Sequence, residues 1–234
     1  AGPKMLEHMV DTVLYLEGDE RNDHRILRSV KNRFGTTNEV GIFQMSNLGL
    51  EEVSNPSELF LAERRNDITG STIFPSLEGT RPILVEIQCL VSNANFNAPQ
   101  RNVNGFDFKR LSMLLAVLEK RMGYKMCMKD VFVNLVGGLK INDPAADLSV
   151  ITALASSEKD QLINGSFVMI GEVGLGGEIR SVTRLEERIS ESLALGFTDV
   201  VAPKTSINRL KKKQLKVNLH PISHVVEAFG IIFK

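Results

Sequence analysis

The N-terminal part of the chain carries apolar residues in the alternating pattern of β-strands. Three stretches show this pattern, at residues 12–16, 25–33 and 40–45, and turn-forming residues fill the two intervals between them. The pattern predicts a small antiparallel set of strands with no helix to cover one face. Because three such strands do not form a stable domain alone, we expect them to be the edge of a larger structure.

Asn55-Pro56 is a helix-start signal, the pattern then breaks at residues 64–70, and after this boundary strands and helices alternate. Residues 111–122 carry apolar side chains at helical spacing, and Pro144 opens an almost wholly apolar helix through Ser156 that must be buried. The other predicted elements are strands at 82–91, 131–136, 199–203 and near Val217, a hairpin-like pair at 167–172 and 177–182, and helices at 185–195, 207–215 and 224–231. This alternation predicts an α/β domain.

The composition narrows the class of protein. The 234 residues are 43% hydrophobic, enough for one large or two modest domains, and the 28 basic residues balance the 28 acidic ones, which excludes a histone-like polycation but not a local basic patch. Cys89 and Cys127 are too few for a four-ligand zinc site or a secretory disulfide framework. No run of 18 uncharged apolar residues occurs, and the start of the chain resembles neither a signal nor a transit peptide. We therefore expect a cytoplasmic protein with no membrane partner.

Most motifs for catalysis or cofactor binding do not occur in the sequence. There is no G-x-x-x-x-G-K-[ST] phosphate-binding loop. The glycine-rich segment 171–177 lies between two predicted strands, and Ile179 replaces the third glycine of a dinucleotide fingerprint, which favours a tight turn. His220 and His224 have helical spacing, but Pro221 interrupts the helix between them, which argues against a metal site.

Two groups of basic residues remain as candidate sites. The first is the pentapeptide at residues 31–35, in which Lys31 and Arg33 project from the same side of a strand end just before a turn. Its members are Lys31, Asn32, Arg33, Phe34 and Gly35. The second, the basic group, is a set of five cations with no acid among them: Arg209, Lys211, Lys212, Lys213 and Lys216. On the predicted basic helix from 207 to 215, Arg209, Lys212, Lys213 and the adjoining Lys216 are three or four residues apart and would form one stripe. Each group could be a solvated surface or a contact for phosphate groups, and spacing alone does not decide between the two.

The pentapeptide Lys31–Gly35 resembles the signature of the RadA (Sms) family of bacterial DNA repair proteins. Other segments are similar to the same family in the same order, so that the resemblance covers essentially the whole chain: residues 1–15, 40–43, 55–61, 77–82 and 171–178. Members of this family carry an N-terminal four-cysteine zinc motif, a RecA-like ATPase core with Walker A and B motifs, and a C-terminal domain similar to the proteolytic domain of Lon. The zinc motif and both Walker motifs do not occur in this sequence. We therefore expect a C-terminal part that begins inside the ATPase core.

The resemblance implies a fold and an organisation. Residues 1–54 would be the terminal strands of a RecA-like core, residues 55–75 a connecting segment, and residues 76–234 a Lon-protease-like α/β domain of the ribosomal protein S5 domain 2-like type.

The resemblance also implies a function for the parent protein. Lys31 and Arg33 would act on ATP bound by a neighbouring subunit of a homo-hexameric ring. The full-length parent is expected to be a DNA-dependent ATPase or helicase of repair and homologous recombination, in which it processes recombination intermediates and migrates DNA branches. It is expected to use ATP, Mg and Zn, to bind single- and double-stranded DNA, and to meet recombinase or replisome proteins. For this part we expect no cofactor and no enzymatic activity, but scaffolding and DNA contact through the basic group.

Similarity to Lon-type peptidases further implies a lost protease site. Those enzymes use a serine and a lysine, and here Ala145 stands in place of the serine and Glu186 in place of the lysine. Neither side chain can perform the chemistry of the residue it replaces. The alternative interpretation is a peptidase or peptide-binding domain that retains the Lon-type cleft. Ser149, Ser156 and Ser157 remain on the same predicted helix, but they lie one to three turns further along it, and no lysine is aligned to face them.

Overall fold

The computed structural model describes residues 3–18, 24–37, 39–94, 98–210 and 216–233. Within these ranges the chain forms a small antiparallel sheet followed by a larger mixed sheet that is packed with helices. The predicted α/β class is confirmed. None of the helices in these ranges is long and apolar enough to span a membrane.

The small sheet follows a short helix and has the strand order β1-β2-β3-β4. The elements are α1 (Pro3–Met9), β1 (Thr12–Glu17), β2 (His24–Asn32), β3 (Val40–Ser46) and β4 (Gly49–Glu52). The three strands predicted from the alternating pattern are present and antiparallel. Helix α1 and strand β4 are additional to the prediction, because both are too short to give a periodic pattern.

The second part begins at α2 (Pro56–Leu61), where the sequence predicts a helix start. The Asn55 side chain accepts a hydrogen bond from the N–H of Glu58, and Pro56 occupies the first turn, where its missing N–H costs nothing. From there the chain enters a seven-stranded mixed sheet with the order β13-β12-β9-β5-β6-β8-β7. Its strands are β5 (Ser71–Glu78), β6 (Arg81–Asn93), β7 (Arg101–Asn104), β8 (Lys129–Leu135), β9 (Phe167–Met169), β12 (Asp199–Pro203) and β13 (Asn218–Ile222).

A separate two-stranded hairpin and five further helices complete the second part. They are α3 (Phe108–Met122), α4 (Asp147–Lys159), β10 (Glu172–Val173), β11 (Ile179–Arg180), α5 (Leu185–Ala194), α6 (Lys204–Ile207) and α7 (Val225–Ile232), as far as the described ranges extend. Every residue of α4 from Asp147 to Ser156 is buried, which confirms the predicted buried helix. Ile42 of the small sheet and Phe60 of α2 belong to the same buried apolar cluster as the second part.

Strand β5 was not predicted, and it begins at Ser71 inside the predicted connection 55–75. Nearly all of its residues are buried, so the strand shows no alternation of apolar and polar positions. Its sequence also contains Pro75, which usually argues against a strand.

Two predicted elements are wrong in part. The pair 167–172 and 177–182 was expected to form one hairpin, but β9 joins the main sheet between β5 and β12, and only β10 and β11 pair as a hairpin. The reason is that Gly171 leaves the sheet and exchanges backbone hydrogen bonds with Ala145 and Leu148 at the start of α4. The basic helix expected at 207–215 is also wrong where the structure describes it, because α6 ends at Ile207 and residues 208–210 form a turn.

Candidate functional site

The motif turn, residues 31–35, ends strand β2 and is shaped by its own asparagine. Asn32 Oδ1 accepts a hydrogen bond from the N–H of Phe34 (3.2 Å), and Asn32 Nδ2 donates to the carbonyl oxygen of Thr36 (3.3 Å). A Cβ atom on Gly35 would lie 2.9 Å from Asn32 Nδ2, so glycine leaves the room that this side chain needs. The asparagine and the glycine therefore build the turn, and the two cations of the motif are left for another role.

Both cations contact the segment that precedes β1. Lys31 Nζ donates to the carbonyl oxygen of Glu7 (2.7 Å) in the last turn of α1, where backbone carbonyls lack helical partners. Arg33 Nη1 lies 3.0 Å from Asp11 Oδ1, and these side chains are 72% and 51% exposed. An ion pair this exposed is worth about 0–1 kcal/mol, so Arg33 can leave Asp11 for a stronger anion at little cost.

Large apolar side chains are exposed around the motif turn and along β1. Phe34 at the tip of the turn is 83% exposed, and Leu14 and Leu16 on β1 are 55% and 54% exposed. Strand β1 pairs only with β2, so its other edge is open in the described part of the chain. An exposed apolar edge of this kind is what a further polypeptide usually covers.

The two positions of the lost protease dyad carry no catalytic chemistry. Ala145 is buried in the 3-10 turn that precedes α4, and its N–H donates to Asp143 Oδ1 (3.0 Å). Glu186 lies in the first turn of α5. A methyl group and a carboxylate cannot form a nucleophile and its base.

Two buried pairs of arginine and carboxylate lie beside these positions. Arg188 on α5 is fully buried and pairs with Asp143, while Asp147 at the start of α4 is fully buried and is held by two nitrogens of Arg110. Burial raises the pKa of the Asp147 carboxyl, although Arg110 opposes that shift, and burial lowers the pKa of Arg188 against the pull of Asp143. In each pair the two side chains satisfy each other's charge, and neither pair was predicted from the sequence. The available signal was a carboxylate at the head of an apolar helix, which requires a cation nearby.

The serines that remain on α4 are bound to backbone groups. Ser149 and Ser156 donate to backbone carbonyl oxygens at 2.6 and 2.5 Å, and Ser157 accepts from the N–H of Val91 at 2.9 Å. Each hydroxyl stabilises the packing of α4 against neighbouring strands or loops. The peptidase alternative therefore gains no activated nucleophile from this helix.

The basic group is described only in part. Arg209 lies in the turn after α6 and Lys216 is exposed before β13, whereas Lys211, Lys212 and Lys213 lie outside the described residues. Arg209 lines the same surface cleft as Glu186 and Glu187 on α5, so two carboxylates lie in the cleft beside Arg209.

The glycine-rich segment forms a tight turn, as the sequence predicts. Gly177 has a φ of 88°, and a Cβ there would lie 2.5 Å from His224 Nε2. His224 Nε2 lies 3.0 Å from the carbonyl oxygen of Gly176, whereas His220 Nε2 lies 2.9 Å from Asp199 Oδ1. The two histidines therefore make separate contacts. Among the described residues, no group of three or more His, Cys, Asp or Glu is placed to hold a metal ion.

Comparison with known proteins identifies relatives along nearly the whole chain. A family model described as subunit ChlI of Mg-chelatase matches residues 107–206. DNA repair protein RadA of Halalkalibacterium halodurans is 52% identical over 203 residues, 87% of this chain and 44% of that protein. The RadA proteins of Streptococcus pneumoniae and Bacillus subtilis are 53% and 49% identical over 88% and 97% of this chain, and over 49% and 50% of their own lengths.

The chain thus spans about half the length of the curated relatives it matches. The match is to their C-terminal part, and the identity to each of these three relatives is close to one half. The chain belongs to the RadA family of DNA repair proteins.

Proposed function

We propose that this chain is the C-terminal part of a DNA repair ATPase, in which the motif turn serves ATP bound by a neighbouring subunit. The printed name of the relatives, DNA repair protein RadA, supports the repair role. ATP hydrolysis, recombination, branch migration and assembly into a hexameric ring are proposals for the whole protein.

The position of Lys31 and Arg33 and the contacts that hold them support the proposal most directly. Lys31 lies at the end of β2, where the strand is paired with β1, and Arg33 follows in the turn. Lys31 is held by a backbone carbonyl oxygen and Arg33 by an exposed carboxylate that is easily exchanged. Phosphoryl transfer needs positive charge on the transferring group, and a cation from a second subunit commonly supplies it. An exposed Phe34 beside the cations gives the same surface an apolar contact for that subunit.

Lys31 and Arg33 would contact ATP only from outside the nucleotide pocket, because this sequence does not contain the loop that forms the pocket. ATP with Mg²⁺ would be held by a phosphate-binding loop, and no such motif occurs in the sequence. Zinc does not fit either cysteine, because Cys89 is buried, which raises the pKa of its thiol, and Cys127 is exposed on a separate loop. Any zinc of the parent protein would be held by residues that this sequence does not contain.

The second part of the chain would hold subunits together and contact DNA. Two features support this assignment: the lost dyad at Ala145 and Glu186, and the concentration of cations at residues 209–216. Recombinase or replisome proteins would be further partners of the assembled ring.

Single substitutions in the full-length protein test the role of the motif turn. We expect Lys31→Ala and Arg33→Ala to leave the protein folded and assembled, and at least one of them to lower DNA-stimulated ATP turnover roughly tenfold or more. The matched control is Arg65→Ala, because Arg65 is also an exposed arginine paired with an aspartate, at 2.6 Å and 68% exposure. Wild-type turnover in both motif variants would refute the assignment.

A further inference from the structure

A salt bridge joins the small sheet to the second part of the chain. Arg28 Nη1 of β2 lies 2.6 Å from Glu78 Oε2 at the end of β5. The Glu78 side chain is only 6% exposed, and burial raises the pKa of its carboxyl, a shift that Arg28 opposes. A carboxylate buried to this degree needs its cation, so the bridge is a fixed contact and not a surface pair.

A second polar contact lies on the other arm of the same hairpin. Arg81 Nη2, at the start of β6, donates to the carbonyl oxygen of Ser54 (2.7 Å), in the segment that follows β4. The β5–β6 hairpin therefore touches the small sheet at β2 and at its exit. Strands β5 and β6 belong to the seven-stranded sheet, so these two contacts connect the small sheet with the core of the second part.

Strand β2 carries both the bridge and the motif turn. Arg28 and Lys31 are three residues apart on β2, but a register shift between Ser29 and Lys31 interrupts the alternation of side chains there. Arg28 is paired with Tyr15 and Lys31 with Val13, and these partners are two residues apart on β1, so both side chains lie on one face of the small sheet. On that face Arg28 contacts Glu78, and Lys31 contacts α1 through Glu7. The pairing of β2 with β3 ends at Arg28, whereas the pairing with β1 continues to Asn32, so a shift of Arg28 moves the end of β2 together with β1.

We infer that Arg28 and Glu78 are positioning residues that hold the motif turn in register with the second part of the chain. The bridge makes the placement of Lys31 and Arg33 at a neighbour's nucleotide depend on where the second part lies. A movement of that part, for example on contact with DNA, would thereby reach the ATP site of the adjacent subunit. This inference rests on the proposed role of the motif turn.

A general stabilising role predicts a different result from a positioning role. If Glu78 only stabilises the fold, its removal lowers turnover by the same factor whether or not the motif cations are present. If Glu78 acts through those cations, its removal costs nothing further in a protein that already lacks them.

The test is a double-mutant cycle on the full-length ATPase. We expect Glu78→Gln to lower DNA-stimulated kcat roughly fivefold, with the KM for ATP unchanged, because a misplaced cation is lost mainly from the transition state. In the Arg33→Ala background the same change should lower kcat less than about 1.5-fold. The charge-reversed pair Arg28→Glu with Glu78→Arg should recover part of the loss.

Two control variants separate this pair from other ion pairs. Glu158→Gln breaks a comparable partly buried pair with Lys129 (2.8 Å), which lies in the second part and away from β2. Glu17→Gln removes the exposed second partner of Arg28 (3.1 Å) and leaves the bridge between the sheets intact. We expect both controls to keep near wild-type turnover.

A mixing experiment covers the case in which the Glu78→Gln protein has a low turnover for a reason other than misplaced cations. Subunits with Glu78→Gln are mixed with subunits whose phosphate-binding lysine is replaced but whose motif turn is intact. Turnover should rise above the sum of the two, because a sound neighbour supplies the cations that the variant misplaces. Should Glu78→Gln not fold, Arg28→Lys is taken through the same cycle and mixture.

The outcomes distinguish this inference from the proposed function. An equal loss from Glu78→Gln in both backgrounds, no loss at all, or no recovery on mixing would overturn the positioning role. If Lys31→Ala and Arg33→Ala themselves retain wild-type turnover, the role of the motif turn fails first.

Discussion

The residues of the motif turn divide into two groups by the contacts they make. Asn32 and Gly35 shape the backbone, whereas Lys31 and Arg33 extend toward the segment before β1. The sequence predicts the strand end, the turn and the paired cations, because each of these depends on neighbouring residues. It does not predict the contact of Lys31 with Glu7, which depends on how the chain returns over a distance of many residues.

At the lost protease site, too, the sequence shows which residues are present but not which of them contact each other. The sequence indicates that the dyad is replaced at Ala145 and Glu186, since residue identity alone decides that question. The pairing of Asp147 with Arg110 joins two helices, and no local pattern encodes it.

A single aspartate should control part of the acid stability of the chain. Burial alone would raise the pKa of Asp199, but hydrogen bonds from His220, Thr198, Asn218 and Ser166 outweigh it and hold the pKa below the ordinary value of 3.8. Because the folded-state pKa is the lower one, this stabilisation is present above pH 3.8 and is lost as the pH falls through the folded-state pKa.

Urea denaturation at several pH values tests this expectation with Asp199→Asn. At pH 7 the free energy of unfolding of the variant should be about 1 kcal/mol lower than that of the unsubstituted chain. That difference should shrink toward zero as the pH falls below 3.8 and through the lower folded-state pKa, where the Asp199 carboxyl takes up its proton. A difference that stays constant over the whole range would show that packing, and not ionisation, causes it.

Helices and strands differ in how much of them local patterns can predict. Helix α3 has apolar residues at regular spacing, and α4 is apolar throughout, so both were predicted close to their true bounds. Strand β5 is buried on both faces and contains a proline, so no alternation marks it. The hairpin prediction failed in part because Gly171 bonds to the start of α4, a tertiary contact that overrides the local preference of 167–172.

The basic group at residues 209–216 gives a prediction at the scale of an element. A helix is not required for this contact, because a duplex carries one phosphate charge about every 1.7 Å along its axis and three cations occur within the short segment 212–216. Replacing Lys212, Lys213 and Lys216 by Gln should reduce the slope of log K against log salt by roughly two to three units. Binding should weaken alike for all sequences, and thermal stability should remain nearly unchanged.

Gel-shift titrations over a range of salt concentrations measure that slope. The matched control replaces three exposed lysines on or next to α3 by Gln, namely Lys109, Lys120 and Lys125, so that the net charge changes equally. A wild-type slope in the first variant, or an equal fall in the control, would place the DNA contact elsewhere on the protein.

At the scale of the whole molecule, the two sheets differ in how completely they are covered. The seven-stranded sheet is packed with helices and contains most of the buried apolar cluster, whereas the small sheet contributes Ile42 to that cluster and exposes Leu14, Leu16 and Phe34. That the first strands are the edge of something larger stays a prediction, and the exposed apolar side chains are the surface that such a neighbour would cover.

The chain on its own should neither bind nor hydrolyse ATP, although it carries the proposed trans-acting cations. Tight nucleotide binding requires backbone N–H groups that wrap the phosphates, and no phosphate-binding loop occurs in the sequence. Arg33 is exposed to water and Lys31 is half-buried, and the attraction of either cation to a phosphate is worth little without that loop. Calorimetric titration with ATP and Mg²⁺ should therefore show no affinity in the micromolar range, with the full-length protein as the positive control. Micromolar binding by the chain alone would mean that a nucleotide site exists within residues 1–234, and the cations would then have to be reconsidered as part of that site.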